Sequence, residues 1–267
     1  MNLDLSKISA SRVILWLVAI TIVSFFLGFV ILAYTGGLTP LAERSLINTE
    51  SSTTYETTSG VLTPDNARSA DVFISLGAAN LTVQSGADKK YLMEYNLTIN
   101  NPEWRPVIIY SIDNFNGNLR ITQKETGGNM MYPATLLNSW DVRLNDEIPL
   151  SLEVNTGVGD SKLNVGSLNL SVLRVKMGAG NQVVDFTGYS GHLQDSEITC
   201  GVGDITVRVP KDMNSRITVN NGVGDIRVHG FERKDGVYRV SGYPVSLTGV
   251  TNIDVKQGVG SVTLEAV

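Results

Sequence analysis

From Ala70 to the C-terminus, apolar and polar residues alternate with the period of two that marks half-buried strands. The alternation breaks at regular points. In "ITCGVGDITVRV", apolar side chains fall at Ile198, Cys200 and Val202, then at Ile205, Val207 and Val209, so the phase flips across Gly203-Asp204. The same flip recurs around Gly77, Gly157, Gly178, Gly222 and Gly258. That makes six copies of a Gly-small-Gly-polar pattern, with Ala79 replacing the second glycine in the first. A one-residue slip turns the apolar set of a strand to solvent. A corner or bulge at the slip restores the inward direction, and glycine supplies the φ > 0 that it often needs. Each copy therefore reads as strand, corner, strand. The residue between the glycines is expected to point inward, as Val202 would, and the following polar residue to cap its turn, as Asp204 would.

The four middle copies begin at residues 157, 178, 201 and 222, spaced by 21, 23 and 21 residues, and the last follows 36 residues later. A hairpin-like insertion, "FERKDGVYRVSGYPVS", lies between. Such a period built from strands alone predicts an all-β solenoid, each rung stacking on the last. Its structural turns are Gly157, Gly159, Gly178, Gly180, Gly201, Gly203, Gly222, Gly224, Gly258 and Gly260. A β-sandwich also has short strands at regular spacing, but it does not need one corner motif six times. Stacking in chain order leaves "VTLEAV" at an open edge, covered by the insertion at 231–246 or used for association. Residues 87–150 lack the repeat and read as an irregular β excursion or a widened first rung.

The N-terminus has a different pattern. No charge interrupts Val13 to Gly37, and about 23 residues of helix span roughly 34 Å, enough for a bilayer core. This run is longer than the apolar region of a cleaved signal peptide and ends in no cleavage site. Residues 13–35 are therefore expected to be a signal anchor in contact with membrane lipid. Lys7 and Arg12 precede it, which keeps residues 1–12 in the cytoplasm and puts the rest outside the cell membrane. Residues 36–69 are rich in Ser and Thr and read as a stalk, with the extracytoplasmic domain at 70–267.

Composition narrows the chemistry. The net charge is −5 and no basic block stands out, which argues against nucleic acid. The single cysteine, Cys200, shares the inward phase and reads as a buried small hydrophobe. The two histidines, His192 and His229, sit beside glycines, on expected turns, with no third metal ligand near. Asn80, Asn96 and Asn169 begin Asn-x-Ser/Thr sequons and are candidate glycan acceptors.

The segment Asn138 to Gly180 resembles the toast-rack family of cell-envelope proteins, related to the C-terminal region of LiaF-type cell-wall-active antibiotic response proteins. Trp140, Asp141 and Leu144 match its aromatic-aspartate entry. Pro149, Leu150 and Leu152 match its Pro-Leu-x-Leu strand, and Gly157, Gly159, Gly178 and Gly180 its Gly-x-Gly turns. The resemblance spans roughly 70–267 and is most specific in 138–186. It implies a β-solenoid-like fold near a membrane and a sensing or interaction role rather than catalysis.

Gly-Val-Gly-Asp invites two ligand readings. A phosphate loop needs a strand feeding a helix, and here strands lie on both sides. Stacked rungs would instead align Asp160, Asn181, Asp204, Asp225 and Ser261 in a polar ladder, where a hard cation such as calcium would relieve carboxylate repulsion. The period is far longer than that of calcium-binding nonapeptide repeats, so structural turns are the simpler reading and no cofactor is expected. Asp195, Glu197 and Asp212 could be offered as a hydrolase's acidic pair, but nothing concentrates them at one spacing. The sequence thus predicts a non-enzymatic, membrane-anchored module. It would sense, scaffold or bind a protein partner in the membrane or envelope, including in an envelope stress response. The alternatives are a surface adhesin or self-associating structural protein, and a polysaccharide-acting solenoid enzyme.

Overall fold

Period-two alternation becomes strand in every copy. The computed structural model describes residues 55–123, 137–189, 191–242 and 249–267, all within a compact unit of Thr53–Val267. The expected anchor at 13–35 lies outside the described residues. Among the described residues no helix is long and apolar enough to cross a membrane.

The chain begins with β1 (Glu56–Leu62), β2 (Ser69–Ala78), β3 (Asn80–Ser85), β4 (Met93–Ile99), β5 (Pro106–Asp113), β6 (Asn116–Gln123) and β7 (Asn138–Leu144). There follow β8 (Leu150–Val158), β9 (Ser161–Asn164), β10 (Leu170–Ala179), β11 (Gln182–Asp185), β12 (Asp195–Val202) and β13 (Ile205–Val209). The last are β14 (Ser215–Val223), β15 (Ile226–His229), β16 (Phe231–Lys234), β17 (Val237–Val240), β18 (Thr251–Val259) and β19 (Val262–Ala266). The six copies are the pairs β2–β3, β8–β9, β10–β11, β12–β13, β14–β15 and β18–β19.

The strands form two sheets, ordered β1-β4-β7-β3-β9-β11-β13-β19-β15 and β16-β17-β14-β18-β12-β10-β8-β2-β6-β5. Neighbouring copies pair in parallel and in register on both sides of the corner. Like residues therefore stack in rows. Ile121, Ile74, Val154, Val175, Ile198 and Val255 form one buried row. Val142, Val83, Leu163, Val184, Val207 and Leu264 form the facing one. Removing these side chains from water is the main favourable term, at about 1.5–3 kcal/mol for each large aliphatic.

The rungs do not stack in chain order. The C-terminal copy, β18–β19, lies between β12–β13 and β14–β15. The chain leaves β15, makes the antiparallel hairpin β16–β17 beside β14, and returns to insert its last rung. The hairpin expected at the insertion is present, turning at Asp235 and Gly236, both at positive φ. "VTLEAV" is thus an interior strand and not an open edge. Val267 donates its N–H to the Val209 carbonyl (2.9 Å) and its own carbonyl accepts from Lys211 (3.0 Å).

Residues 87–150 widen the first rung. Strands β6 and β7 extend both sheets in parallel, and the antiparallel strands β5, β4 and β1 close that end. The fold begins earlier than Ala70, because β1 lies within the expected stalk. It is an outer strand with mostly exposed residues, so its sequence carries no alternation of the kind that marked the others.

The corners differ from expectation in one respect. Val202 is 55 % exposed, and Val158, Val223 and Val259 are exposed as well. The last inward residue is Cys200, the next Ile205. The corner opens at Gly203, whose φ is +136°, and the residue before it falls on the convex outer side. Both glycines also serve close approach. A Cβ at Gly201 would sit 2.6 Å from the Gly178 carbonyl oxygen, and one at Gly203 would overlap that of Gly180. In each copy the second glycine's Cβ direction points toward the capped end. Ala79 starts that series, with no such corner before it among the described residues, so its methyl group fits.

Candidate interaction surface

Rung stacking builds a polar ladder along the corner. The Asp160 N–H donates to Asn80 Oδ1 (3.1 Å) and the Asn181 N–H to Asp160 Oδ1 (2.9 Å). The Asp204 N–H donates to Asn181 Oδ1 (3.4 Å) and the Ser261 N–H to Asp204 Oδ1 (2.7 Å). Each side chain therefore accepts from the next rung. Asp204 was expected to cap its own turn; its carboxylate accepts instead from the neighbouring rung. Insertion of the last copy also separates Asp204 from Asp225 by Ser261, so no two carboxylates are adjacent. At two rungs' separation, roughly 10 Å, two carboxylates repel by only about 0.4 kcal/mol in water. Among the described residues no three His, Cys, Asp or Glu side chains gather as metal ligands.

Beside the ladder runs an apolar ridge. Ala78, Val158, Ala179, Val202, Val259 and Val223 are in register on successive rungs, a stripe roughly 24 Å long at the strand spacing. Sequence reasoning assigned these residues to the core. For all but Ala78, the position before a positive-φ glycine is the signal that marks them as outward.

The outer face of the longer sheet carries charged residues around β12. Asp195 and Glu197 lie there on β12, whereas Asp212 stays in the loop after β13. Asn252 Nδ2 donates to Asp195 Oδ1 (3.1 Å), and Lys256 Nζ lies 2.8 Å from Glu197 and 3.1 Å from Asp254. Hydrogen bonds from the ammonium to Glu197 and then Asp254 hold the Lys256 pKa above its ordinary value. Glu197 and Asp254 thus share one ammonium, while Asp195 accepts from a neutral amide. With Arg174 and Arg216 they line a shallow groove of about 440 Å³. The two arginines and Lys256 were missed from sequence, although each occupies the outward phase of its strand.

The remaining candidates are dispersed. Cys200 is buried and free, and burial pushes its thiol pKa up. His192 is exposed before β12, and His229 ends β15 rather than occupying a turn. Asn80 and Asn96 are exposed and Asn169 is half-buried, its Nδ2 donating to the Glu147 carbonyl (3.2 Å). Trp140 is buried, with its indole N–H on Asn138 Oδ1 (2.6 Å).

Residues 48–208 match the family described as the N-terminal domain of toast_rack, DUF2154. The chain belongs to the toast-rack family. A candidate cell adhesion protein from Clostridium sporogenes has a similar solved structure, with a TM-score of 0.75 and 25% sequence identity. The alignment covers 80% of this chain and 100% of that one. A candidate adhesin from Bacteroides fragilis aligns over 79% of this chain and 97% of its own, at 14% identity and a TM-score of 0.29. No match was found among curated proteins. The toast-rack assignment and the all-β architecture agree with the sequence reading.

Proposed function

We propose that this toast-rack protein is a non-catalytic, adhesin-like envelope module. A single N-terminal span at 13–35 anchors it, and the stacked β-solenoid stands outside the membrane on the residues that follow. The observation that carries the reading is the structural likeness to the Clostridium sporogenes protein over that protein's whole length. The charged groove around Arg174, Glu197 and Lys256 supports it, since it offers paired charges to an extended surface. On this reading the face binds a polymer or protein of the envelope through many weak polar contacts.

The test is retention of the detergent-solubilised full chain on isolated cell-envelope material, compared with an Arg174→Glu, Lys256→Glu variant. The reading predicts salt-sensitive retention that the variant loses. Equal retention of both, or none of either, contradicts it.

A further inference from the structure

The stack has two unlike ends. One is closed by antiparallel strands. The other ends at the β14–β15 rung, where, among the described residues, β15 pairs only with β19. Strand β17 covers β14 only at Ile217 and Thr218.

This last rung carries features that its neighbours use for stacking. Ile226 is in register with Val262, and Val262 with Ile205. Val262 and Ile205 are fully buried, whereas Ile226 is 38 % exposed and Val223 on the ridge is 67 % exposed. The N–H after each corner donates to the rung beyond, Ile205 to the Ser261 carbonyl and Val262 to the Asp225 carbonyl, both at 2.9 Å. By the same register the N–H groups of Gly224 and Ile226 point to the open side. The polar ladder ends there too: Asn80, Asp160, Asn181 and Asp204 each accept from the following rung, and Asp225 is the last residue of the row.

We propose that this rung pairs with β15 of a second copy of the chain, antiparallel about a two-fold axis at Ile226. Charge selects the occupant. Asp225 and Arg227 flank Ile226, both are exposed, and within one chain Arg227 Nη2 donates to Asp225 Oδ2 (3.3 Å). In the two-fold arrangement Asp225 of each copy lies opposite Arg227 of the other, while Ile226 meets Ile226. A short edge strand bearing charge ordinarily discourages pairing. In this register the same charges favour another copy and disfavour unrelated strands. The contact is self-complementary, so it closes as a dimer and does not propagate. It stands independently of the adhesive reading.

The experiment is light scattering after size exclusion on the full chain in detergent. Wild type, Asp225→Arg, Arg227→Asp and the double reversal are compared. Wild type is expected to be dimeric. Each single reversal sets like charges opposite each other twice and weakens association by at least about tenfold. The double reversal restores it. As a second measurement, Ile226→Cys is expected to cross-link copy to copy on mild oxidation, because facing antiparallel residues lie within disulfide reach. Val158→Cys, exposed on the same ridge near the other end, is not. A monomeric wild type, single reversals that leave the dimer intact, or an Ile226→Cys chain that does not cross-link would each overturn the proposal.

Discussion

The Ser261 N–H donates to the carboxylate of Asp204 across 2.7 Å of space and 57 residues of chain. That bond exists only because the last copy inserts beside the Gly201 copy. It also makes the corner acid a stacking device, linking one rung to the next.

Removing that acceptor tests the ladder. Asp204→Ala is expected to cost about 1 kcal/mol, the net value of one such hydrogen bond, whereas Asp204→Asn retains an acceptor and stays close to wild type. Thermal melting of both variants measures the difference. Equal losses would show that charge, and not acceptance, is what Asp204 supplies.

The corner makes opposite demands on adjacent residues. Gly203→Ala places a methyl group on the Gly180 carbonyl at a φ of +136°, and is expected to cost at least about 2 kcal/mol. Val202→Ser changes an exposed side chain and should stay within about 0.5 kcal/mol. Denaturant titration separates the two. A large loss for Val202→Ser would put that valine back in the core.

The inserted rung makes the C-terminus central to the fold. Deleting residues 250–267 removes both strands between β12–β13 and β14–β15. The truncated chain is expected to lose cooperative unfolding, followed by circular dichroism on heating. A sequential stack would lose only an edge and still melt cooperatively.

Acid should erase one surface contribution. The Arg105 guanidinium donates two hydrogen bonds to Glu56, at 2.9 and 2.6 Å, and holds its carboxyl below the usual range. A carboxyl with a lowered folded pKa stabilises above its unfolded value, and that contribution is lost as pH falls through the folded one. The melting-temperature gap between wild type and Glu56→Gln is therefore expected at neutral pH and to vanish in acid. A gap that persists in acid would assign the effect to packing.

Much of the architecture was legible because each copy carries its own signature. The alternation at Ile198, Cys200, Ile205 and Val207 places strands and their inward faces, and Asp235-Gly236 marks the hairpin. Rung order was not legible. Pairing between parallel strands is long-range, and β13, β15 and β19 present nearly the same pattern to any neighbour. Val202 was misassigned because local alternation runs unbroken into the corner, while the chain's path turns that side chain outward. Strand β1 was missed because an outer strand of Thr, Ser and Glu needs no apolar phase. On the candidate surface, Asp195 and Glu197 could be named from sequence. Their hydrogen-bond partners Asn252 and Lys256 come from the inserted copy and could not.

Under the proposed function the domain lies outside the cell and presents its corner to the surroundings. Labelling of intact cells with a membrane-impermeant maleimide tests it most directly. Cys200 is buried, with its thiol pKa raised by burial, so the wild-type chain supplies an unlabelled background. Val202→Cys is predicted to label on intact cells, while Leu5→Cys, before the expected span, labels only after lysis. Labelling of Val202→Cys only after lysis, or of both positions alike on intact cells, would contradict the account.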